Sequence, residues 1–223
     1  RDRLRSRGLG DVYKRQVLLY SNLYLDENIQ LIYHIVPEIK KFIFIGDARQ
    51  INQTNNLDIR NKLKKTHPNV EYQFITPQDM TTNQLLDSLY FVDPKTTGVL
   101  FSSWFYKTTF AGNTSLVSNA HKLIGTTAAP IFTLNMADIT EENGGMIGGY
   151  TYNQKHFNQQ LIHTIAEILA GKQARDIPFY IPTDGAPIIN YKILLRKGFS
   201  PSMCPPDTHF LNLSLIHISE PTR

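Results

Sequence analysis

The chain has 223 residues, 41% of them hydrophobic and 19% charged, with a formal net charge of +4. That length and apolar content suffice for one core of ordinary size and exclude a disordered or low-complexity chain. Cys204 is the one cysteine, which excludes an internal disulfide and a thiolate zinc site, and no run of about eighteen apolar residues reads as a membrane span.

The two ends stand apart. Residues 1–16 (RDRLRSRGLGDVYKRQ) and 213–223 (LSLIHISEPTR) resemble translated sequencing adapters, DVYKRQ from one strand and LSLIHI from the other. We read them as scars and set them aside; a basic nucleic-acid arm at Arg1–Arg15 is the alternative. The ends hold seven of the 23 Lys and Arg and three of the 19 Asp and Glu, so the segment between them is formally neutral. No basic patch then argues for nucleic acid. Residues 17–212 are expected to be a piece cut from a longer gene.

In chain order, Val17–Leu25 is short and apolar and reads as a strand or the end of a crossover. Asp26 is expected to cap a helix running to Pro37, with Ile29, Ile32, Tyr33 and Val36 on one face. Lys41–Asp47 (KFIFIGD) is apolar without alternation, the pattern of a strand buried on both faces. A polar loop, Ala48–Asn56, leads to a basic helix, Leu57–Thr66, stopped by His67 and Pro68. Val70–Thr76 reads as a strand, Thr81–Phe91 as a helix, Gly98–Tyr106 as a strand running into a loop, Ser115–Ile124 as a helix, and Pro130–Met136 as a strand.

The stretch Gly144–Gly171 (GGMIGGYTYNQKHFNQQLIHTIAEILAG) is the one around which the rest of the chain is organised. It predicts a glycine-rich turn, a strand over Met146–Tyr152, an N-cap at Asn153, and a helix whose apolar face carries Phe157, Leu161, Ile165, Ile168 and Leu169. Gly171 stands where a left-handed C-cap belongs. A further strand is expected at Ile177–Pro182. The alternation of strand and helix predicts an α/β fold, a parallel sheet covered by helices on both faces through right-handed crossovers.

In such a sheet ligands bind at the carboxyl ends of the strands. Those ends are rich in aromatic and hydrogen-bonding groups, which suit a small polar ligand. The candidate ligand-binding residues are Asp47, Gln50, Trp104, Tyr106, Asn135 and Asp138. Asp47 has no nucleophile or partner base in sight, so it reads as a hydrogen-bond acceptor or loop cap rather than a general base. There is no phosphate-cradling GxxxxGK[ST], no strand–GxGxxG–helix order and no GxSxG elbow. No histidine pattern has metal-ligand spacing; His156 and His163 share a helical face that reads as solvated. No catalytic residue, metal or cofactor is expected.

Several stretches together resemble one family. IYHIVPEIKKFIFIGD is similar to its helix, L-x-P and the strand opening its second lobe. LLDSLYFVDPKTTGVLFSSWFY is similar to a helix and a strand whose end faces the ligand. The organising stretch with ARDIPFYIP resembles its G-x-x-G-G strand, long helix, I-L-x-G and I-P, and APIINYKILLRKGFSPSMCPPDTHFLN resembles its closing segment. The family is the ABC-transporter-type substrate-binding domain of the type 1 periplasmic binding fold, in the version found as the sensor region of two-component histidine kinases. Departures are Lys107–Thr109 after Tyr106, where sensor relatives carry an acid and a glycine, and Cys204–Pro205 for leucine–proline.

The resemblance implies a two-lobe fold of which this chain holds mainly the second lobe: 17–25 a crossover from a missing first lobe, 26–182 the second lobe, 183–212 a closing segment. Hinges are expected near Val17–Leu25 and Phe179–Asp184. It implies a non-enzymatic, periplasmic ligand sensor whose closure signals through a membrane to a kinase module of the parent chain. The alternative is the solute-binding protein of an ABC transporter, with a permease as partner. An effector domain of a cytoplasmic repressor and an α/β enzyme are further alternatives.

Overall fold

The computed structural model describes residues 24–46, 57, 59–61, 63–66, 68–104, 117–140, 144–178, 180 and 183–213. Among them the strands β1 (Lys41–Ile45), β2 (Glu71–Ile75), β3 (Thr97–Phe101), β4 (Ile131–Thr133), β5 (Gly148–Tyr152), β6 (Gly185–Asn190) and β7 (His209–Leu211) form one sheet in the order β2-β1-β3-β4-β5-β6-β7. β1 pairs parallel with both β2 and β3, β3 with β4, β4 with β5, and β6 with β7. The Asn190 N–H donates to Ile147 O at 2.8 Å and joins β6 to the head of β5.

The apolar run KFIFI is buried because both of its faces are covered. Phe42 and Phe44 point into one layer with Leu100 and Phe132. Ile43 and Ile45 point into the other with Val99, Phe101 and Ile131. The first layer is roofed by helix α1 (Leu25–Ile35), by Ile59 and Leu63 of the helical residues around 60, and by Ile193 and Leu194. The second is roofed by α2 (Thr82–Tyr90) and α3 (Val117–Thr126) through Leu85, Leu89, Ala120 and Ile124. Strand alternation thus sorts one unbroken apolar run between two cores.

Local chemistry sets the helix ends. Thr81 and Gln84 make a reciprocal capping box at the start of α2: Thr81 Oγ1 accepts the Gln84 N–H at 3.3 Å, and Gln84 Oε1 accepts the Thr81 N–H at 2.9 Å. Helix α4 (Gln154–Leu169) starts as expected, with Asn153 Oδ1 accepting from the N–H groups of Lys155 and His156 at 3.1 and 3.2 Å. It closes at Gly171, whose φ of +95° is the left-handed cap read from the sequence. A short helix α5 (Tyr191–Arg196) follows β6. Helix α1 departs from expectation. Asp26 does not cap it; the chain enters through Tyr24 in a left-handed conformation (φ 45°, ψ 48°), and Asp26 lies in the first turn, where a carboxylate suits the positive end of the helix.

Asn28, on α1, is buried and clamps β5. Its Oδ1 accepts the Tyr150 N–H at 2.7 Å, and its Nδ2 donates to Tyr150 O at 2.8 Å and to Tyr24 O at 3.0 Å. Gly149 makes room: a Cβ there would meet Thr133 O at 2.0 Å and Asn28 Oδ1 at 3.1 Å.

The described chain divides into two compact units, Tyr152–Gly185 and Tyr24–Thr151 with the residues from Ala186 onward. The first unit holds α4, of whose sixteen residues only Thr164 is buried. Within that unit the Asn153 N–H donates to Asp184 O at 2.9 Å, and the His156 ring pairs with the Asp184 carboxylate. The expected crossover at 17–25 lies almost wholly outside the described residues, as do residues 179, 181 and 182 of the expected strand Ile177–Pro182.

Two outcomes test this packing. Asn28→Ala orphans both backbone groups of Tyr150, so urea denaturation is expected to show a loss of about 3 kcal/mol; a loss below about 1 kcal/mol would show that the clamp holds little. Cys204 packs against the α1 layer, and burial pushes its thiol up to about 11. The folded protein keeps the neutral thiol at pH 8, so iodoacetamide is expected to react about a hundredfold more slowly than with the urea-unfolded chain. Because the unfolded thiol ionises first, stability falls as pH rises above about 9.

Candidate functional site

The four strands β2, β1, β3 and β4 finish level, and three further bonds carry the ladder past their ends. The Gly46 N–H donates to Ile75 O at 3.0 Å, the Ser102 N–H to Ile45 O at 2.8 Å, and the Leu134 N–H to Phe101 O at 3.0 Å. Gly46, Thr76, Ser102 and Asn135 therefore stand along one carboxyl edge. Thr76 is fixed by Asp79, whose Oδ2 accepts both the Thr76 N–H and its hydroxyl at 2.8 Å.

Asn135 is exposed on this edge. Its N–H donates to Thr133 Oγ1 at 3.0 Å, and its Oδ1 accepts the Ala137 N–H at 3.1 Å, capping a 3-10 turn over Met136–Ile139. Asp138 in that turn is buried. Its Oδ1 accepts from His121 Nδ1 at 2.9 Å and its Oδ2 from the Thr133 hydroxyl at 3.4 Å. The His121 ring meets Phe101 edge-on at 4.8 Å. A carboxylate bonded from both sides orders the turn and ties α3 to the end of β4.

Trp104 lies inside rather than on the rim. Its side chain is 0% exposed in the α2–α3 layer, and its Nε1–H donates to Thr82 Oγ1 at 2.9 Å. An indole needs one acceptor when buried, and the first residue of α2 supplies it. Asp47, Gln50 and Tyr106 lie outside the described residues. The sequence reading missed Asn28, Thr82 and His121. Asn28 interrupts an otherwise apolar helix face, and that is the one signal that marked it.

A cavity of about 300 Å³ lies where α1 faces β5, lined by Glu27, His34, Tyr150 and Asp207 among others. Burial holds the Tyr150 phenol above its ordinary range, and the nearby carboxylates of Asp207 and Glu27 add to it. No group of three or more His, Cys, Asp or Glu suited to a metal ion occurs among the described residues. None of the described helices is long and apolar enough to cross a membrane.

No family profile matches the sequence, and no curated protein does. Solved structures do match the fold. One is a ligand-free, open substrate-binding protein with adhesive properties from Clostridium difficile (TM-score 0.59, 13% identity, covering 86% of this chain and 61% of that one). A second is a conserved domain protein from Vibrio cholerae (TM-score 0.62, 13% identity, 87% and 62%). A third is an ABC domain from Streptococcus pneumoniae in complex with L-Trp (TM-score 0.59, 12% identity, 87% and 63%). The chain thus has the α/β architecture of part of a periplasmic binding protein, and it spans less than two thirds of the length of each structure it matches.

Trp104 is the single tryptophan, which makes its placement measurable. Its emission is expected at the blue end of the tryptophan range, protected from acrylamide in the native protein and released on unfolding. Red, freely quenched emission from the native protein would put the indole on the rim instead.

Proposed function

We propose that this chain is part of an extracytoplasmic solute-binding protein of the kind that feeds ABC importers. It would take a small polar ligand, with an amino acid as the first class to try, at the carboxyl edge of β2-β1-β3-β4. The observation that carries this reading is the level edge of four parallel strands, in a fold shared with a substrate-binding protein and with an ABC domain bound to L-Trp. Of the ligand residues read from the sequence, Asn135 is the described one exposed at that edge, with Asp47, Gln50 and Tyr106 as further candidates. Asp138 would act through the turn it orders, and no catalytic chemistry is assigned to the site.

The histidine-kinase sensor reading rests on the sequence likeness alone. A substrate-binding protein and an ABC domain among the structural matches favour the transport role. In either role the ligand would work by favouring a closed arrangement of two lobes, and only to the extent of its differential affinity for that arrangement.

Helix α4 bears on the second lobe. Its face carries Leu161, Ile162, Ile165, Ile168 and Leu169 in exposed positions, Ile162 at 67% and Leu169 at 82%. An apolar face of that size calls for a cover. We take the cover to be the remainder of its own lobe, supplied by the part of the parent protein that this chain does not span.

Two measurements check the proposal. The segment Val17–Asn212 alone is expected to show no thermal shift with a panel of amino acids, whereas the gene product extended upstream shifts with at least one. A strong shift from the segment alone would count against the two-lobe reading, and none from the extended protein would count against an amino-acid ligand. Ile165→Glu with Ile168→Glu is expected to destabilise the extended protein by about 2–5 kcal/mol through loss of buried apolar contacts. The same pair should leave the stability of the segment alone unchanged; equal effects in both would show that α4 has no cover to lose.

A further inference from the structure

The turn after β4 decides which end of one exposed amide is on offer. Asn135 stands one residue past Leu134, whose N–H donates to Phe101 O at 3.0 Å and carries the ladder to the edge. The Ala137 N–H is a donor and can pair only with the oxygen of the Asn135 side chain, so Oδ1 accepts it at 3.1 Å. The two hydrogens of Nδ2 remain. They go to no described residue, and Asn135 is exposed. Turning the amide over would set Nδ2 against the Ala137 N–H, donor against donor, and lose the cap.

Buried groups hold the turn from below. The Thr133 hydroxyl accepts the Asn135 N–H at 3.0 Å and donates to Asp138 Oδ2 at 3.4 Å. The Asp138 N–H donates in turn to Asn135 O at 3.0 Å. His121, from α3, bonds the other carboxylate oxygen at 2.9 Å, and Thr133, Asp138 and His121 are all buried. The amide is thus in place before anything binds, and a ligand has little ordering left to bring about there.

We propose that Asn135 meets the ligand as a hydrogen-bond donor, through Nδ2, and that the group it takes is a carboxylate oxygen. The inference rests on the amino-acid reading given above. At neutral pH the main-chain groups of an amino acid are an ammonium, which only donates, and a carboxylate, which only accepts. Two donors cannot pair, so the end of β4 turns the ammonium away and takes the carboxylate, with the added strength of a charged acceptor. The backbone N–H groups of the short turn have no part in this, because those of Ala137 and Asp138 are spent on Asn135 itself. A capping Asn has an ordinary structural role as well, and Asp or Ser fills that role equally. That equivalence separates the two roles by experiment.

The test is calorimetric titration of the gene product extended upstream with each of the common L-amino acids, and with the amine that decarboxylation of each would give. An amino acid that binds is expected to do so at least about a hundredfold more tightly than its amine, which lacks the acceptor. Asn135→Asp keeps an oxygen for the Ala137 N–H but replaces the donor with a negative charge. It should weaken the amino acid about a hundredfold and leave its amine no weaker. Asn135→Ser, which also caps but is too short to reach, should weaken the amino acid about tenfold without adding charge. Thermal melts matching the parent verify that both variants are folded. Equal affinity for amino acid and amine, or a parent-like affinity for the amino acid in both variants, would overturn this proposal and leave the amino-acid reading standing. Binding of no amino acid by the extended parent would overturn both.

Discussion

One buried amide sets the geometry at the junction of α1 with β5. Asn28 spends both ends of its side chain on the backbone of Tyr150 and a second donor bond on Tyr24 O, so the entrance to α1 and the course of β5 are fixed by the same side chain. One side chain thus bonds both the N–H and the C=O of the same strand residue. The packing around the clamp depends on it. Gly149 must lack a side chain, Tyr24 takes a left-handed turn with its ring 5.2 Å from that of Tyr150, and β5 then enters the sheet beside β4.

The repeating part of this architecture was legible in the sequence because it rests on local rules. KFIFI announced a strand buried on both faces, Thr81 with Gln84 announced a helix start, and Asn153 and Gly171 bracketed a helix to the residue. The fold class followed from the alternation of elements. What the sequence could not show was which helix shares a core with which sheet. The periodicity of α4 is the same whether its cover is near or absent, so periodicity alone assigns it to no layer.

The candidate site was less legible, for a related reason. Strand ends can be counted from the sequence, but the direction of a side chain just beyond the strand cannot. Trp104, three residues past β3, turns inward because Thr82 offers its indole an acceptor, a contact between residues far apart in the chain. Asp138 is likewise consumed by His121 and Thr133, while Asn135, three residues earlier, stays exposed. Of these three residues, Asn135 alone is exposed.

The strand order has a consequence for biosynthesis. β1 is made first of the seven strands, yet both of its neighbours, β2 and β3, come later, and the second of them ends only at Phe101. While those residues are being synthesised, KFIFI has two open hydrogen-bonding edges, and the face of Ile43 and Ile45 lacks the helices that cover it. Such a strand is the kind of nascent segment that pairs with the wrong chain. At about 5–20 residues per second the exposure lasts for seconds, long compared with hairpin closure in microseconds. Chaperone capture of the emerging chain, and a yield that depends on translation speed, are written into the order in which the sheet is laid down.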